Sequence, residues 1–79
     1  MEERENRKTF EFLLTAVSLK NAKELEKDAK RIDERHAAGK LSDARHHDLQ
    51  GIIEKARAGN WGDAERMAYE FREAQPFFK

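Results

Sequence analysis

Seventy-nine residues without a cysteine make one domain, 1–79, that has neither disulfides nor thiolate metal sites to hold it. Of its 30 hydrophobic residues 11 are alanine, so only 19 large apolar side chains are left for a core; a core that thin supplies roughly 3–5 kcal/mol, which leaves room for self-association or a partner. Sixteen basic and sixteen acidic residues cancel, without the basic excess of a dedicated nucleic-acid binder, and no apolar run approaches the ~20 residues that cross a bilayer.

The chain opens on Glu2, Glu3, Arg4, Glu5 and Arg7, which is unlike the charged-then-apolar layout of a signal peptide; a cytoplasmic protein without membrane contact is expected. No stretch alternates apolar with polar residues, and helix formers dominate. The expected fold is all-α, an antiparallel bundle of three to four short helices. The first helical segment runs from about Glu3 to Ala38 and as one rod would span ~50 Å, far overhanging shorter partners. Asn21, with Glu24 three residues on, has the form of a capping box. Two helices, near 3–19 and 22–38, are therefore expected here. Leu25, Ala29, Ile32 and His36 form one stripe on the second of them. The first has apolar residues on two sides, with Phe10, Leu13, Leu14 and Val17 on one and Phe12, Ala16 and Leu19 on the other.

A third helix is expected near 42–58, capped by Ser42 and packed through Leu49, Ile52, Ile53 and Ala56. A fourth follows near 62–74 with Ala64, Met67, Ala68 and Phe71 inward, and Pro76 ends it before a tail at 75–79. Short connections imply antiparallel neighbours. The turns before the third and fourth helices share the pattern A-G-x-Φ-x-D-A, at Ala38–Ala44 and Ala58–Ala64, twenty residues apart. Gly39 and Gly59 suit a left-handed helix stop, Leu41 and Trp61 plug the corner, and Asp43 and Asp63 favour the positive end of the next helix.

Gly59, Asn60, Trp61 and Ala64, with Pro76 twelve residues after Ala64, resemble the second helix of a tetratricopeptide hairpin. The preceding helix departs from that family at Ile52 and Lys55, where a glycine and an aromatic belong. Ala68 also stands where a bulky aromatic is preferred. The resemblance covers about 18 residues, whereas about three repeats are needed for stability. It implies a protein-binding scaffold, and local convergence on one hairpin's chemistry explains it as well.

Candidate chemistry is sparse. His36, His46 and Asp43 meet near one corner, but no H-E-x-x-H or repeated ligand spacing accompanies them, so no metal site and no cofactor are expected. A cysteine nucleophile, a Gly-rich phosphate loop and a G-x-S-x-G turn are all missing, and an enzyme is not expected. Lys20, Lys23, Lys27, Lys30 and Arg31 make a basic strip that is interrupted by Glu26 and Asp28 as ion-pair partners. Phe12, Leu19, Phe77 and Phe78 are surplus aromatic and aliphatic groups that either cover one another or meet a partner. The expected function is binding and regulating another protein, or a second copy of itself, through an apolar helical face. Two alternatives stand beside it: an inhibitor from a phage or mobile element, of anti-defence or anti-CRISPR type, that occludes a nucleic-acid-handling enzyme, and a weak nucleic-acid binder using the lysine strip.

Overall fold

Glu2–Ser18 (α1), Ala22–Ala37 (α2), Asp43–Arg57 (α3) and Trp61–Ala74 (α4) are the helices of the computed structural model, which describes residues 2–74. The expectations placed on Pro76, Phe77 and Phe78 lie outside those residues.

All three corners stop a helix in the same way. Lys20 has φ 54°, Gly39 φ 75° and Gly59 φ 85°. At the first corner the Lys20 N–H donates to the Val17 carbonyl at 3.1 Å and the Asn21 N–H to the Ala16 carbonyl at 2.9 Å. The pairs Gly39–His36 and Lys40–Arg35 repeat this at 3.0 and 2.9 Å, as do Gly59–Ala56 and Asn60–Lys55. These are Schellman motifs, in which one left-handed residue satisfies the last carbonyls of a helix. Only two of the three carry glycine.

The break in the long first segment is thus a left-handed lysine followed by a cap. Asn21 Oδ1 accepts the Glu24 N–H at 3.1 Å. The reciprocal half of the capping box is missing because the Asn21 N–H already serves Ala16. The Glu24 carboxylate meets Lys27 Nζ at 3.5 Å instead.

The repeated A-G-x-Φ-x-D-A sequence makes two equal stops but two different starts. After Gly59, the Asn60 carbonyl takes the Ala64 N–H at 2.9 Å, so α4 begins at Trp61 rather than near residue 62. After Gly39 comes Lys40, which has no side-chain acceptor to cap a helix. The chain runs on to Ser42, whose Oγ accepts the Arg45 N–H at 3.2 Å. Leu41 is therefore buried in a loop, whereas Trp61 opens a helix and packs half-buried on the core.

Every neighbouring pair of helices runs antiparallel. Asn6 near the start of α1 reaches Arg35 near the end of α2, and Glu26 near the start of α2 reaches Arg57 at the end of α3. Met67 of α4 lies over Gly51 of α3. Ser18 at the end of α1 donates to Glu65 of α4 at 2.8 Å, while Phe10 meets Phe71 with ring centroids 5.0 Å apart. Helix α4 thereby closes the ring onto α1.

Phe10, Leu13, Val17, Leu25, Ile32, Ile52 and Ile53 are almost fully buried at the centre. Ala64 and Ala68, one turn apart on α4 and completely buried, let that helix approach its neighbours closely. Each large side chain so buried contributes about 1.5–3 kcal/mol against the chain's conformational entropy. Asn6 is also buried, but with partners: its Nδ2 donates to the Lys40 carbonyl at 3.0 Å and its Oδ1 accepts from Arg35 Nε at 2.8 Å. One amide thus ties the start of α1 to the corner between α2 and α3.

Candidate functional site

Helix α1 turns Phe10, Leu13, Ala16 and Val17 inward, which leaves Phe12, Thr15 and Leu19 along one flank. Phe12 on α1 is 50% exposed and Leu19, the first residue after that helix, 71%. They are seven residues apart, and the Leu19 N–H still donates to the Thr15 carbonyl at 3.0 Å, so both line the same side. The apolar flank is narrower than the sequence implies, because Ala16 is spent on the core.

The flank is one wall of a groove between α1 and α2, with a cavity of about 190 Å³. The opposite wall is polar: Asn21, the cap of α2, and Glu24, Asp28 and Arg31 of that helix supply it. Its floor is unusual. Asp28 is only 3% exposed because it lies within the stripe Leu25, Ala29, Ile32 rather than outside it. Burial raises its carboxyl above the ordinary carboxylate range, the Arg31 charge opposes that shift, and Glu24 adds to it. Its one ion-pair contact among the described residues is long, 3.5 Å from Oδ1 to Arg31 Nη1. The Arg31 guanidinium carbon sits 5.2 Å from the centre of the Phe12 ring, within the range of a cation–π contact. Arg31 thus bridges the Phe12 ring on one wall of the groove and the buried Asp28 carboxylate on the other.

The sequence pattern points to Phe12 and Leu19 but treats Asp28 as a surface ion-pair partner. The signal that marks Asp28 is positional. It is three residues after Leu25 and four before Ile32, so helical period sets it on the buried stripe.

The other candidates fall elsewhere. Lys23, Lys27, Lys30 and Arg31 are exposed along α2, whereas Lys20 belongs to the corner and not to that helix face. Lys27 and Arg31 are engaged with Glu24 and Asp28. The strip is a mixed-charge surface.

His36 and His46 do come together, with ring centroids 3.9 Å apart and planes inclined by 3°. Each is held by an aspartate from across the corner: His36 Nε2 lies 2.6 Å from Asp43 Oδ1, and His46 Nε2 lies 2.9 Å from Asp33 Oδ1. Gln50 Nε2 is also within 3.1 Å of His46 Nε2. Asp43 therefore serves the histidine of the preceding helix and not those of its own. Among the described residues, no three acidic or histidine groups are placed to hold a metal ion.

On the opposite edge of α2, Arg57 grips Glu26 with two bonds of 2.8 Å and Glu54 with one of 3.1 Å. This fork holds the Glu26 carboxyl below its ordinary range and strengthens the arginine as a base. A larger recess of about 360 Å³ lies between α3 and α4, lined in part by His47, Gly51, Met67 and Ala74, where the described residues end. No described helix is long and apolar enough to cross a membrane.

Comparison with protein-family models, with characterised proteins and with solved structures returns no significant match. The half-hairpin likeness to tetratricopeptide repeats gains no relative from these comparisons, and no function is taken from it.

Proposed function

We propose that this chain is a small non-enzymatic protein-binding module, and that the groove between α1 and α2 is its contact surface. The observation that carries the reading is the flank of Phe12 and Leu19, two large apolar side chains exposed beside a recess. Isolated exposed apolar residues are common on soluble proteins, but a pair on one side of a groove facing a polar wall has the layout of an interface centre with its rim. Aromatic side chains in such settings contribute disproportionately to binding. The mixed-charge surface around it favours orientation and specificity over general attraction to polyanions.

The test is a comparison of wild type with the Phe12→Glu and Leu19→Glu variants. Both positions are exposed, so circular dichroism and thermal midpoint should stay close to wild type. Affinity capture from the native host should then retain specific proteins on the wild type that neither variant retains. Sedimentation at several concentrations shows whether the partner is a second copy. Identical captured sets, together with unchanged sedimentation, would refute the reading.

A further inference from the structure

We propose, building on the protein-binding reading above, that the groove between α1 and α2 is a pocket for one arginine side chain of the partner, paired with Asp28 and stacked on Phe12 in place of the chain's own Arg31.

The first support is the state of Asp28. A carboxylate 97% out of solvent normally has several short donors, since a buried charge without them is costly. Among the described residues Asp28 has a single contact at the 3.5 Å limit, and its side chain lines the groove rather than the sealed core. No side-chain oxygen among these residues is sealed off without a partner, so what Arg31 leaves unmet of this carboxylate is reached from the groove. A guanidinium entering from the groove could give it two parallel N–H bonds, the arrangement in which arginine and carboxylate pair most strongly.

The second support is that the chain already holds a guanidinium there. Arg31 lies over the Phe12 ring and touches Asp28, but it does so from the same helix three residues away, and its side chain is still 48% exposed. Held on the same helix as Asp28, it makes one long contact of 3.5 Å, so its planar fork does not meet the carboxylate squarely. A partner's arginine reaches the same two groups free of that constraint, and its methylene stem would cover Leu19 and the Phe12 edge. Arg31 then swings out into water, where an exposed arginine loses little. Occupancy by Arg31 thus shows the pocket's chemistry while keeping it loosely closed. Glu24, on the same wall, adds a second negative charge at the mouth. A lysine fits less well, because a compact ammonium cannot both stack flat on Phe12 and take two carboxylate oxygens.

The probe is Nα-acetyl-argininamide, with its neutral isostere Nα-acetyl-citrullinamide, titrated into ¹⁵N-labelled protein. We expect saturable shifts at the amides of Phe12, Ala16, Leu19 and Asp28 with the arginine probe, and binding about tenfold weaker with citrulline, the loss of one charge-assisted pair. Asp28→Asn should abolish the difference between the two probes. Arg31→Gln, which removes the resident competitor, should tighten arginine binding several-fold. Equal shifts from both probes, arginine preference surviving in Asp28→Asn, or weaker binding in Arg31→Gln would each overturn the proposal. So would the absence of groove shifts in both wild type and Arg31→Gln. These outcomes are separable from the broader reading: a captured partner that is lost in Phe12→Glu but retained in Asp28→Asn keeps the groove as an interface and removes the arginine from it.

Discussion

Lys20 stands where the other two corners have glycine, and exchanging it should stabilise the fold. An L-residue with a side chain in the left-handed region is held there at a cost of about 1–2 kcal/mol, while glycine reclaims part of this by losing more freedom on folding, about 0.5–1 kcal/mol. The net gain for Lys20→Gly relative to Lys20→Ala should be about 1 kcal/mol, with the alanine variant carrying the loss of the lysine charge and stem. The reverse exchanges supply matched controls. A Cβ built on Gly39 or Gly59 meets nothing within 4 Å, so Gly39→Ala and Gly59→Ala test backbone strain without a steric clash. Each should cost about 1 kcal/mol. In a domain of this size 1 kcal/mol moves the thermal midpoint by roughly 4–8 °C. The corners have no shared partners, so Lys20→Gly combined with Gly59→Ala should add to nearly no change. Thermal and urea unfolding of the five variants measure this directly. If Lys20→Gly is no more stable than Lys20→Ala while the two glycine exchanges are costly, the left-handed assignment at the first corner is wrong. If all four single exchanges are neutral, the Schellman account fails at every corner.

Asp28→Asn should raise the midpoint at neutral pH by a few degrees. Burial lifts this carboxyl above its ordinary value of 3.8, so the folded chain binds that proton more tightly than the unfolded one; the penalty for ionising it is absent below that value, grows as pH rises through the folded value, and is complete above it. The gap between variant and wild type should therefore close as pH falls toward about 4, and a pH-independent gap would refute this origin. Glu26 has the opposite sign: the Arg57 fork lowers its pKa, so its contribution is present above the ordinary 4.5 and is lost as pH falls through the lowered value. Arg57→Gln should remove that contribution, and its acid unfolding curve should merge with wild type at the lowest pH; curves that stay parallel throughout would contradict it. Gly51→Ala should stabilise α3 by about 0.5–1 kcal/mol through helix propensity, because the new methyl would lie at 3.4 Å from Met67 Cε, the movable end of a flexible side chain. A drop in midpoint would show that Met67 cannot yield.

The helices and their inward faces follow from local chemistry that a single sequence displays. Leu49, Ile52, Ile53 and Ala56 recur at helical spacing, and Ser42, Gly39 and Gly59 have the few φ/ψ and capping preferences that punctuate helices. The left-handed stop at Lys20 was not legible, because lysine has no preference for that region. Packing of α1 against α2 and α4 holds it there. The second start signal was equally hidden, since turns of one pattern place the first carbonyl of the next helix at Ser42 in one case and at Asn60 in the other. The groove shows the same division. Phe12 and Leu19 stand out in the sequence as apolar residues beyond one stripe, because burial demand can be counted along a helix. The burial of Asp28, its half-met pairing with Arg31 and the stacking of Arg31 on Phe12 depend on how closely α1 approaches α2. That approach depends on the packing of the whole core, and only the tertiary structure decides it.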